Sequence, residues 1–134
     1  MTDKKKALLA VREEIDSIDD QIQDLLIKRT KIVEKVRTIK HGETVKIRPS
    51  REAEMMYRLT ARHHGNFPKR EMCRIWREII VATLSFEGPF SCAVLDAEDE
   101  PGYWDLARDQ YGSFTKMARH RSGRSVVEAV QRQE

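Results

Sequence analysis

The chain has 134 residues, 40% of them hydrophobic, 35% charged and 7% aromatic, with a net charge of +3. That length fits one domain, or one domain with an appendage, built round a modest core, and so small a net charge does not establish a nucleic-acid partner. No apolar run is long enough to cross a membrane, the opening Met1-Thr2-Asp3-Lys4-Lys5-Lys6 lacks the apolar stretch of a signal peptide, and two cysteines, Cys73 and Cys92, make no disulfide framework but read as reduced thiols of a cytosolic protein.

Steps of three and four from Leu8 give Leu8, Val11, Ile15, Ile18, Ile22, Leu25, Arg29, Ile32, Val36 and Ile39, a heptad seam that is aliphatic at every position but one. The pattern predicts a helix from about Asp3 to about His41, roughly 55 Å long and ended by Gly42. A loop runs to Pro49. Ser50 is placed to cap a second helix, from Arg51 to about His64, with Met55, Met56 and Leu59 on its apolar side. Gly65 and Asn66 close it. Asn66 is also placed to cap a third helix, with Pro68 in the first turn and a broad apolar face of Met72, Ile75, Trp76, Ile79, Ile80, Thr83 and Phe86, stopped at Gly88-Pro89. Beyond it, Ser91 to Leu95 reads as a short strand and Asp96 to Gly102 as an acidic turn. Tyr103 to Tyr111 and Ser125 to Gln133 read as helices separated by Gly112 and a basic loop. The run from Lys116 to Arg124 holds four basic residues, His120 and no acid, and reads as a solvated face.

Arg29 stands in the seam itself, where leaving water is costly unless an anion meets the guanidinium. Either it pairs with a carboxylate such as Glu52 or Glu87, or it waits for an anionic ligand. Lys40, eleven positions on, lies nearly in line with it about 17 Å along the axis, so two long side chains leaning together can grip a small dianion. Arg12 lies about 26 Å from Arg29 and a quarter-turn away; to share that site it must come from a second, antiparallel copy. Taken singly, Arg12 has an ordinary surface partner in Asp16 at i+4, and Lys40 suits a helix C-terminus. Thr83 and Glu87, also i, i+4, put a hydroxyl and a carboxyl on the inward side of the third helix. No nucleophile, phosphate loop or metal-ligand spacing accompanies them, which suits binding, or a reaction needing only conformational restraint and electrostatic stabilisation.

Five blocks in order, Arg12-x-x-Ile15-Asp16-x-Ile18-Asp19, Leu25-Leu26-x-x-Arg29, Val36-x-x-x-Lys40, Arg48-Pro49-x-Arg51-Glu52-Ala53 and Trp76-Arg77-Glu78-Ile79-Ile80, resemble the all-helical chorismate mutases, in particular the mutase module that opens bifunctional mutase–prephenate dehydratase proteins. The resemblance spans about Leu8 to Glu87. It implies an all-α fold, three-helix protomers in an intertwined homodimer, and cofactor-free [3,3] rearrangement of chorismate to prephenate in the cytoplasm, with no metal, nucleic acid or membrane involved. It further implies that Arg12 crosses from the partner copy to one substrate carboxylate and Arg29 binds the other. Lys40 would donate toward the ether oxygen, and Glu52 would accept from the ring hydroxyl. Arg51 would support the site, with Thr83 at a small hydroxyl position and Glu87 beside the ether oxygen.

Two positions depart from the pattern. Some relatives carry Gln in place of Glu87, and a carboxyl donates to an ether oxygen only when protonated; turnover is then expected to fall as pH rises through the Glu87 titration. Some carry Asp where this chain has Arg48, so the ring-hydroxyl contacts differ there. The expected division is a mutase-like helical domain over 1–88 and an appendage over 89–134. The appendage resembles the opening of a dehydratase domain (Ala93-Val94-Leu95, Tyr103 to Arg108, Val126 to Val130), but Asp96-Ala97-Glu98-Asp99-Glu100 replaces its glycine- and hydroxyl-bearing stretch, and no dehydratase activity is expected. The alternatives are an isochorismate pyruvate lyase on the same scaffold and a non-enzymatic helical dimerisation or regulatory module.

Overall fold

A computed structural model of the chain describes residues 2–40, 48–87 and 90–133, except for the side chain of Glu87. The expectations placed on His41, on Gly42 and the loop after it, and on Gly88-Pro89 fall outside those residues. The elements run α1 (Asp3–Ile39), α2 (Pro49–Arg62), α3 (Lys69–Leu84), a single 3-10 turn (Ser85–Glu87), β1 (Cys92–Leu95), α4 (Tyr103–Tyr111), β2 (Met117–His120) and α5 (Gly123–Gln131). The chain divides into two compact units, residues 1–41 and 42–134.

The first unit is α1 itself. Thr2 caps it by accepting from the Lys5 N–H at 3.2 Å, and Asp3 adds favourable charge in the first turn. Its 37 residues make it about 55 Å long. None of its residues is buried.

In the second unit α2 packs on α3, α3 on α4, and α4 and α5 on β1. Leu59, Val81, Leu84, Val94 and Ala129 form its buried core. α2 starts at Pro49, not Arg51: proline has no N–H to satisfy and its fixed φ suits the first helical position, so Ser50 falls inside the first turn. Asn66 does not cap α3. Gly65 turns the chain at φ +89°, His63 Nε2 donates to the Phe67 carbonyl at 2.6 Å, and extended Pro68 becomes the cap residue.

β1 and β2 pair in parallel, Cys92 opposite Met117 and Leu95 opposite His120, with α4 as the crossover. β2 lies where the sequence reads as a basic loop. Its middle residues Ala118 and Arg119 are both exposed, so it lacks the period-two pattern of a strand; pairing with β1 makes it one. The basic run is partly neutralised locally. Arg119 Nη1 meets Asp96 Oδ2 at 2.5 Å and its guanidinium lies 3.9 Å above the Trp104 ring, while Arg124 pairs with Glu128 at 3.1 Å.

Candidate functional site

On α1 the three expected cations keep the spacing that the sequence implies. Arg12 is exposed, whereas Arg29 and Lys40 are half-buried, on a helix most of whose residues are exposed. Lys40 is the C-cap residue, and its backbone N–H donates to the Val36 carbonyl at 2.9 Å. At eleven residues' separation the two stand nearly on one line of the helix, and Lys40, at the C-terminal end, is where the helix dipole favours positive charge.

In the second unit Arg48 is the cap residue of α2, with Arg51 exposed in the first turn and Glu52 half-buried beside it. Glu52 is held by a residue to which the sequence gives no role. Arg77 Nη1 donates to Glu52 Oε2 at 3.0 Å, and the side chains are only 21% and 17% exposed. The Thr83 hydroxyl donates back along α3 to the carbonyls of Ile79, at 3.0 Å, and Ile80, at 3.2 Å, the ordinary use of a helical threonine. Glu87 ends the 3-10 turn that follows.

The tail is seated on one row of α3. Arg74 Nη1 donates to the Asp109 carbonyl at 2.6 Å and pairs with Glu78 at 3.4 Å. Gly112, at φ +81°, lies so close to α3 that a Cβ there would stand 3.2 Å from Glu78 Oε2 and 3.3 Å from Val81 Cγ1. Tyr111 packs on Phe90, ring centroids 5.8 Å apart. Burial pushes its phenol above the ordinary value; nearby Cys92 and Glu52 raise it further and Arg77 opposes them. Burial likewise pushes the Cys92 thiol up. A cavity of about 300 Å³, lined among others by Glu78, Val81, Phe90, Tyr111, Phe114 and Lys116, opens beside this seat. Among the described residues, its lining includes none of the expected site residues.

A long helix followed by a short and a medium one is the element order that the resemblance implies for a helical mutase. Residues 11–88 match the type II chorismate mutases, and the chain belongs to that family. It is 34% identical over 97 residues to the bifunctional chorismate mutase/prephenate dehydratase of Stutzerimonas stutzeri, a match covering 68% of this chain and 27% of the relative. The protein of the same description from Aquifex aeolicus is 38% identical over 93 residues, 66% of this chain and 26% of the relative. That of Neisseria gonorrhoeae is 31% identical over 111 residues, covering 83% and 27%. The chain thus spans about a quarter of the length of these relatives. A 111-residue match cannot fit within residues 11–88 and the ten before them, so it runs into the tail.

Proposed function

We propose that the chain is a chorismate mutase, an isomerase converting chorismate to prephenate in aromatic amino-acid biosynthesis, without a cofactor and in the cytoplasm. The observation that carries this reading is the family match over residues 11–88, which contains all eight expected site positions in order. The roles follow the chemistry of each group. Arg29 and Lys40 offer charge-assisted donors to a carboxylate and to the ether oxygen, where negative charge develops as the C–O bond breaks. Glu52 accepts from the ring hydroxyl, Arg48, Arg51 and Thr83 complete the polar surroundings, and a protonated Glu87 donates to the ether oxygen. Holding the substrate's two reacting ends together supplies the remainder of the acceleration.

The homodimer belongs to the same proposal and is supported by α1. Its apolar stripe is self-complementary in antiparallel pairing: about residue 20, Leu8 faces Ile32, Val11 faces Arg29, Ile15 faces Leu25 and Ile18 faces Ile22. That centre is one residue from the midpoint of Asp3–Ile39. The same register brings Arg12 of a second copy level with Arg29 to within about one residue rise, 1.5 Å.

Spectroscopic loss of chorismate with formation of prephenate tests the activity, and isochorismate in a parallel assay tests the lyase alternative. Arg29→Ala is expected to abolish turnover while the helical spectrum is kept. Turnover of neither substrate by the folded protein would leave the non-enzymatic module. Glu87→Gln is expected to flatten the alkaline fall in turnover; an unchanged profile would remove Glu87 as a proton donor.

A further inference from the structure

The Glu52–Arg77 pair is far more sheltered than the ion pairs of Arg74, Arg119 and Arg124, whose partners are all at least 36% exposed. Two charges withdrawn from water gain little net stability, because desolvation offsets their attraction; what such a pair can fix is geometry. A glutamate carboxylate turns about a soft torsion and has two equivalent oxygens. One guanidinium N–H on Oε2 removes that freedom and sets the direction in which Oε1 is presented.

Arg77 is well placed to be rigid. On α3 it lies between the row that meets α2, where Cys73 Sγ is 3.7 Å from Thr60 Oγ1, and the row of Arg74, Glu78 and Val81 that seats the tail. Tyr111 of the tail stands within electrostatic reach of both members of the pair.

We infer that Arg77 is a positioning residue, fixing the Glu52 carboxylate through Oε2 so that Oε1 accepts from the ring hydroxyl of the substrate. The inference rests on the mutase reading and on the role proposed there for Glu52. The test is a double-mutant cycle on the full chain, measuring kcat and KM for chorismate with Arg77→Met, Glu52→Ala and the two together, alongside thermal melting. Arg77→Met is expected to lower kcat/KM about tenfold in the parent, the scale of one misdirected buried hydrogen bond, and to cause no further loss once Glu52 is alanine. Arg77→Lys keeps the charge without the planar fork and is expected to recover part of the loss; it carries the same cycle if Arg77→Met does not fold.

Equal factors with and without Glu52 would overturn the inference, as would a lowered Tm with unchanged kcat/KM. If the parent rearranges chorismate and Arg29→Ala abolishes this while the Arg77 variants match the parent, the inference alone is overturned. If the folded parent does not rearrange chorismate, the mutase reading fails and the inference falls with it.

Discussion

Arg12 cannot act beside Arg29 of its own chain. Seventeen residues of continuous helix put about 26 Å between them, beyond any pair of side chains gripping one small dianion. If the site takes Arg12 from a second copy, damage to Arg12 and damage to Lys40 lie in different chains of the same site. Arg12→Ala and Lys40→Ala are each expected to be nearly inactive alone. Mixed one to one after reversible dissociation, half of the dimers are mixed. In each mixed dimer one site receives both substitutions and the other receives neither, so about a quarter of the parent's sites are restored. The assay is chorismate turnover per chain, before and after mixing through mild denaturant, with each variant treated alone as the control. Activity no higher than the average of the two variants, under conditions where mass measurement shows mixed dimers, would refute the crossed placement of Arg12. A strictly monomeric parent would refute it sooner.

Three further outcomes follow from the same geometry. Seven side chains of the α1 stripe, Leu8 to Ile32 without Arg29, remain 48–64% exposed, and Ile18→Asp gives up about 1 kcal/mol of further burial per copy while placing two carboxylates in the seam, so sedimentation is expected to show dissociation at micromolar concentration; an unchanged mass would contradict the antiparallel register. Gly112→Ala combines backbone strain at φ +81°, ψ 160° with contacts of 3.2 and 3.3 Å, about 2–4 kcal/mol in all, whereas Gly102→Ala at φ +99° meets nothing within 4 Å and costs about 1–2 kcal/mol; melting is expected to show at least about twice the Tm loss for Gly112→Ala, and equal losses would mean that the tail is not seated on α3. Cys92 and Tyr111 stay neutral in the fold at pH values where the unfolded chain has released their protons, so their contribution is complete below the ordinary thiol value of about 8.5 and declines as pH rises through the raised folded values; Cys92→Ala is expected to make the alkaline decline in urea midpoint shallower, and an identical slope would show that the thiol plays no part.

The elements legible in the sequence are those whose signal is local and repeated. α1 is the clearest: its three-and-four spacing continues for over thirty residues with no glycine or proline and ends with the helix at Ile39, while the Thr2 cap sets the start at Asp3, five residues before the first stripe position. β1, α4 and α5 were legible from short apolar runs between turn residues, though α5 begins at Gly123 because Ser122, not a later residue, caps it. β2 was not legible, since what makes Met117 to His120 a strand is a partner more than twenty residues away. Arg77 was hidden for the same reason. The block Trp76-Arg77-Glu78 carries the family resemblance, but nothing in it says that its guanidinium meets Glu52, twenty-five positions earlier on another helix.

That pairing changes how the polar groups are to be weighed. On sequence, Glu52 was as good a partner for Arg29 as Glu87 was. With Glu52 held by Arg77, the carboxylate is oriented within its own helix pair. The tail enters through the same helix. Its acidic turn closes on itself through Glu100 N–H to the Ala97 carbonyl at 3.2 Å and holds Arg119 through Asp96. Those residues serve the βαβα packing where the dehydratase resemblance would want glycine and hydroxyls. Arg74, Glu78 and Val81 seat that packing on α3, the helix that carries both Arg77 and Thr83, so loosening the tail is expected to reach Glu52 through Arg77.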